Sequence, residues 1–141
     1  MSIFAGLNLW ALLFAAFVSF AFGGIWYTVL SERWKTALNG SGVVPTTKPL
    51  PQLLAATFLA QLVMAWLFAG LLLHLSQGGL PASIRSGAVS AIFLWLGFIL
   101  MPMVVNHMYQ GAKWSLTAID GAHWLGVMIL QGVILGAFAL K

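Results

Sequence analysis

The chain has 141 residues, 62% of them hydrophobic and 6% charged, and that composition excludes a water-soluble domain: such domains carry about 25% charged residues and cannot keep this much apolar surface from water. Its formal net charge of +4 does not point to nucleic acid, because Arg33, Lys35, Lys48, Arg85, Lys113 and Lys141 are spread over loops and one end and build no basic helix face. With no cysteine there is no disulfide, thiolate metal site, iron–sulfur cluster or lipidated cysteine anchor.

Four apolar runs, at about 7–30, 52–75, 83–106 and 115–139, each approach the ~20 residues that cross ~30 Å of hydrocarbon. They are continuous and too long for the alternating ~10-residue strands of a membrane barrel. Helices also satisfy their own backbone in lipid. The expected fold is therefore all-α: residues 1–141 form one integral membrane domain, a bundle of four transmembrane helices, with a long loop at about 31–51. Its immediate partner is the lipid bilayer.

The first run begins near Asn8 and closes on Gly23-Gly24-Ile25-Trp26-Tyr27. Ala21-Phe22-Gly23 loosely fits a small-residue cleavage site, but no basic segment precedes it and the apolar run exceeds the ~7–15 residues of a signal core. The run reads as a retained span. At 100° per residue Asn8, Ser19 and Trp26 share a face turned to other helices, and Trp26 and Tyr27 suit the membrane interface.

In the connection that follows, Ser31-Glu32-Arg33-Trp34-Lys35 fits a short interfacial helix with Trp34 dipping inward. Asn39-Gly40-Ser41-Gly42 is turn chemistry, and Pro45, Pro49 and Pro51 are expected to forbid a regular helix. Asn39-Gly40-Ser41 also matches a glycosylation acceptor, a short and common pattern. In the second run Gln61 lies deep enough to require a hydrogen bond to a neighbouring helix, and His74 ends the run as an interfacial residue.

Pro81 and Ser83 open the third run, with Ser83 a candidate N-cap. Ser83, Ser86, Ser90 and Gly97 form a small-residue stripe suited to close packing. Pro102 removes a helix hydrogen bond and predicts a kink just before Asn106 and His107. The turn at about 108–114 carries Gln110, Gly111 and Lys113. In the fourth run Asp120, His123 and Gln131 occupy one sector, while Gly121, Gly132 and Gly136 occupy another and include a GxxxG pair.

Alternating span directions bring Trp26, Tyr27, Glu32, Gln52, Asn106, His107, Lys113, Asp120 and His123 to one leaflet and leave His74 and Arg85 at the other. Asp120 is the sharpest signal, since a central acid costs about 2.5–3.5 kcal/mol on insertion scales and must find a partner. His123, at i+3, is one candidate, and His107 and Lys113 are others. Three readings of the corner stay open: a hydrogen-bonded knot that fixes helix register, a proton or solute path, and a metal site built from Asp120, His123 and His107, whose spacing matches no established zinc motif. No nucleophile elbow, phosphate loop or paired-carboxylate arrangement supports an enzyme, and no cofactor is implied.

Gly24-Ile25-Trp26-Tyr27 with Trp34, then Asn106, Gly111, Trp114, Asp120-Gly121, His123, Gly132 and Gly136, together resemble a family of small bacterial four-span membrane proteins, the domain-of-unknown-function family seventeen-sixty-one. The resemblance covers nearly the whole chain. It departs at Asp120, where asparagine is common in the family pattern. It implies an integral membrane protein and supplies no substrate, cofactor or catalytic residue.

The expected function is a transporter-like or channel-like module with a polar cavity near one membrane face, and the alternative is a structural or accessory subunit of a membrane complex. The expected location is a bacterial cytoplasmic (inner) membrane. Arg33, Lys35, Lys48 and Lys113 against Arg85 and Lys141 place loops one and three in the cytoplasm and both termini outside. The glycine stripe of the fourth run and the serine–glycine stripe of the third are not both expected to find partners within one protomer, so a homo-oligomer is expected.

Overall fold

Backbone amides in lipid have only the chain itself to pair with, and the apolar runs meet that demand as helices. The computed structural model describes residues 6–44 and 46–138, in which the regular elements are helical and four are long and apolar enough to cross a membrane. Pro45 and Lys141 lie outside the described residues.

Helix α1 spans Leu9–Val29. Asn8 is its N-cap, accepting from the Trp10 and Ala11 amides at 3.1 and 3.4 Å, so its side chain serves the helix start rather than a lateral face. Asn8 Nδ2 also donates to the Phe138 carbonyl at 3.2 Å, which ties the start of α1 to the end of the last helix. Helix α2, Ser31–Leu38, follows after a single residue and runs a turn longer than the expected Ser31–Lys35.

Helix α3 is Leu50–Gln77, and Pro51 lies in its first turn. The expectation that Pro51 prevents helix is corrected: an amide in the first turn has no intrahelical acceptor, so losing it costs nothing, and the fixed proline φ favours the start.

The third span is composite: α4 Ile84–Leu94, a π-helical segment Trp95–Leu100, and α5 Met101–Tyr109. Ser83 caps it with a reciprocal box, the Ser86 amide donating to Ser83 Oγ at 3.1 Å and the Ser83 amide to Ser86 Oγ at 2.9 Å. Pro102 has no amide for the carbonyl one turn back, and its ring crowds that carbonyl. The wide turn that precedes it is where the chain absorbs this, so the expected distortion takes the form of a π segment. Helix α6, Trp114–Phe138, follows a tight turn in which Gly111 adopts φ +69°, open to glycine without strain.

α6 is the axis of the bundle. It packs against α1, α3, α4 and α2, and 44% of its most apolar stretch is buried, against 6% for the third span. The core joins Leu12, Ala15 and Ala16 of α1, Ala65, Phe68 and Leu72 of α3, and Met128 and Leu135 of α6. The two small-residue stripes meet each other inside one protomer. A Cβ on Gly132 would strike the Gly87 carbonyl, one on Gly87 the Gly132 carbonyl, and one on Gly136 the Ser83 carbonyl. The stripe on α4 therefore runs through Ser83, Gly87 and Ala91, while Ser90 stays half-exposed and Gly97 is exposed with nothing near it. That mutual fit removes the reason for which the stripes pointed to an oligomer. Gly121 lies further along the same face of α6, its carbonyl accepting from Trp95 Nε1 of the third span at 2.8 Å.

Candidate functional site

The polar residues of the bundle interior lie along the seam between α1 and α6, which run antiparallel. On α1, Ser19, Gly23 and Tyr27 recur every four residues and so share one stripe. Facing them in reverse order on α6 are Gln131, His123 and Asp120.

At the outermost level, Asp120 Oδ1 accepts from the Tyr27 hydroxyl at 2.8 Å and from Trp34 Nε1 at 3.1 Å. Three elements converge here, because Trp34 is carried by α2 and Tyr27 by the last turns of α1. The carboxylate lies six residues into α6, about 9 Å by helix rise. Its partners are neutral donors. The pairings expected with Lys113, His107 or His123 do not form: Lys113 Nζ bonds instead to the Thr36 and Asn39 carbonyls at the end of α2, and His107 Nδ1 pairs with Thr117 Oγ1 at 2.9 Å. The cation of Lys113 thereby meets the carbonyl end of a helix, which favours positive charge.

One level deeper, His123 is buried, 4% exposed, and neither ring nitrogen has a hydrogen-bond partner among the described residues. Its ring is stacked on Phe22 with centroids 6.0 Å apart and is flanked by Tyr27 at 4.8 Å and Trp124 at 5.0 Å. Glycine at 23 makes room for it, since a Cβ there would sit 2.9 Å from His123 Nε2. Trp26 packs on Phe22 at 5.6 Å, and its buried Nε1 is likewise without a partner among the described residues.

Deeper still, Gln131 Nε2 donates to Ser19 Oγ and to the Gln61 carbonyl, both at 3.1 Å, and all three residues are fully buried. Ser19 is the midpoint of α1, so this junction of α1, α3 and α6 lies near mid-membrane. The side-chain amide of Gln61, and Gln131 Oε1, find no partner among the described residues.

Among the described residues no group of three histidine, aspartate or glutamate side chains is placed to hold a metal ion. Asp120 and His107 have the separate partners given above. Asn106 is exposed and lines a groove between the third span and α3. Of the expected polar residues, Tyr27 touches both Asp120 and His123. Trp34, Ser19, Gln61 and Gly23 join the seam without having been grouped with them, although the four-residue repeat Ser19, Gly23, Tyr27 is readable in the sequence and pairs each α1 position with a polar residue on α6.

No curated protein and no solved structure matches the chain. The family model described as "Protein of unknown function (DUF1761)" matches residues 10–136, nearly its full length, and the chain belongs to that family.

Proposed function

We propose that the protein is a transporter-like or channel-like membrane module that moves protons along the α1–α6 seam. The observation that carries this is His123: a buried imidazole with two unpartnered nitrogens, held between a hydrogen-bonded carboxylate above and a buried amide–hydroxyl junction below. An imidazole accepts a proton on one nitrogen and releases one from the other, and titratable groups are kept inside membranes at a cost that structure alone rarely repays. Asp120 and Tyr27 form the entry, and Gln131, Ser19 and Gln61 offer donors and acceptors further in. In this reading loops one and three face the cytoplasm of a bacterial cell, with Asp120 on that side.

The test is proton flux in sealed liposomes under an imposed potential, read with an entrapped pH dye. The purified protein should dissipate the gradient faster than empty vesicles. His123→Phe, which keeps a ring on Phe22 but cannot carry a proton, should return the rate to background. Flux at background for the native protein, or flux unchanged in His123→Phe, overturns the proposal.

One observation favours the second reading, an accessory subunit without transport. Asp120 is engaged by Trp34 and Tyr27, as a clamp closing α2 on the bundle would require. Trp34→Phe separates the two, because a clamp then loosens α2 while a proton path retains Asp120 and His123.

A further inference from the structure

The third span leaves a groove between itself and α3, reaching Trp124 of α6. It packs on α6 and makes little contact with α3, which leaves a gap between the two along the stretch from Leu94 to Gln110. Two cavities of about 430 Å³ each lie in the gap and share Met64, Phe98 and Ile99, so they form one continuous groove. The inner part, bordered by Leu67, Leu71 and Leu94, is apolar throughout. The outer part ends on Asn106, His107 and Gln110. From Leu94 to His107 is 13 residues, about 20 Å of helix, whereas one leaflet contributes roughly half of ~30 Å of hydrocarbon.

We infer that this groove is a binding site for a membrane phospholipid, with one acyl chain along the apolar part and the phosphate at Asn106, His107 and Gln110. Length and polarity both match: an apolar channel slightly longer than a leaflet is deep, closed at the headgroup end by hydrogen-bonding side chains. No bordering charge opposes a phosphate. Neither cavity is bordered by an acid, and the chain's two acids are engaged elsewhere, Glu32 with Lys35 at 2.9 Å and Asp120 with Tyr27 and Trp34. Two carboxamides and an imidazole donate to a phosphate without a charge penalty. His107 is already oriented by Thr117 through Nδ1, which leaves Nε2 for a second partner. A second helix is a poorer occupant, since the exposed Asn106 and Gln110 would face it unpaired at the groove's polar end.

The experiment is native mass spectrometry of the full chain released from liposomes containing equal phosphatidylglycerol, phosphatidylcholine and a phosphate-free galactolipid. The native protein should keep one phospholipid per chain under conditions that strip the surrounding lipid, and retain the galactolipid at least several-fold less. Asn106→Leu with Gln110→Leu, both exposed positions, should lower phospholipid retention several-fold, and Met103→Trp should block it by filling the outer groove. Circular dichroism melts of these variants confirm that they are folded. Equal retention of all three lipids, or no change in the folded variants, overturns the inference. So does a disulfide-linked dimer formed in membranes through a single Phe98→Cys, which would show a second copy on the groove. Lipid retention is read without any flux measurement, so the two proposals fail independently.

Discussion

Gly23 and His123 are built to each other: a Cβ at residue 23 would lie 2.9 Å from His123 Nε2, closer than real Cβ contacts come. The imidazole can therefore lie against the α1 backbone and stack on Phe22 only because residue 23 has no side chain. Gly126 does the same in the opposite direction, since a Cβ there would lie 2.5 Å from the Phe22 ring. The seam is thus a zipper of glycine against ring, glycine against ring, with polar pairs above and below.

The first expectation follows from that fit. Gly23→Ala must push His123 off Phe22 or shift α1 from α6, and overpacking of this kind costs about 1–3 kcal/mol. A thermal melt in detergent should show a clear drop, and Gly23→Ala combined with His123→Ala should recover much of it. A double variant no more stable than Gly23→Ala would show that the imidazole is not what the glycine accommodates.

Asp120 gives a second. Asparagine keeps an oxygen where Oδ1 now accepts from Tyr27 and Trp34, and an amide is cheaper to hold in the membrane than a carboxylate. Asp120→Asn should therefore melt within about 1 kcal/mol of the native protein while abolishing proton flux. Asp120→Leu leaves a phenol and an indole donor unpaired, each at about 1–3 kcal/mol, and should be markedly less stable. Equal stability of the asparagine and leucine variants would mean that the two hydrogen bonds do not hold α2 in place.

The spans were legible because length and hydropathy alone set them, and the boundaries shifted by only a few residues. What the sequence hid were the facts that depend on which helices touch. Gly87 carries the closest approach to α6, yet its own sequence stripe pointed to Ser90 and Gly97. A period of 3.6 identifies a small-residue face but not the partner that fills it: the face that meets α6 runs through Gly87 and Ala91, one position on from Ser86 and Ser90, and Gly97 has nothing near it. Asp120 was visible as a costly charge; its partner Trp34 was not, because α2 is amphipathic and its docking is decided by tertiary contact.

The α4–α6 contact supplies a third expectation. Gly87→Leu sets a side chain against the Gly132 carbonyl, and a backbone cannot give way as a flexible side chain can. This variant should fail to fold or lose the third span from the bundle, seen as protease cleavage in the third-span segment. Gly97→Leu, at an exposed position with nothing near, should be tolerated. If Gly87→Leu folds normally, the two stripes do not meet as described.

The last expectation concerns Gln61, whose side chain is fully buried near mid-membrane with neither amide atom hydrogen-bonded among the described residues. Its backbone carbonyl accepts from Gln131, so the side chain is not needed for that bond. Burying an unpaired amide costs about 1–3 kcal/mol on mutational scales. Gln61→Leu, of similar size, removes the cost and should raise the melting temperature. Gln131→Leu should be close to neutral, because Ser19 Oγ retains its own bond to the Ala15 carbonyl at 2.8 Å. A protein that keeps a destabilising amide at Gln61 and one of little net worth at Gln131 has a use for them beyond stability, and both variants should slow proton flux while folding about as well as the native chain. A large stability loss in Gln61→Leu would make the amide part of the packing, and the seam below His123 would then be a structural knot.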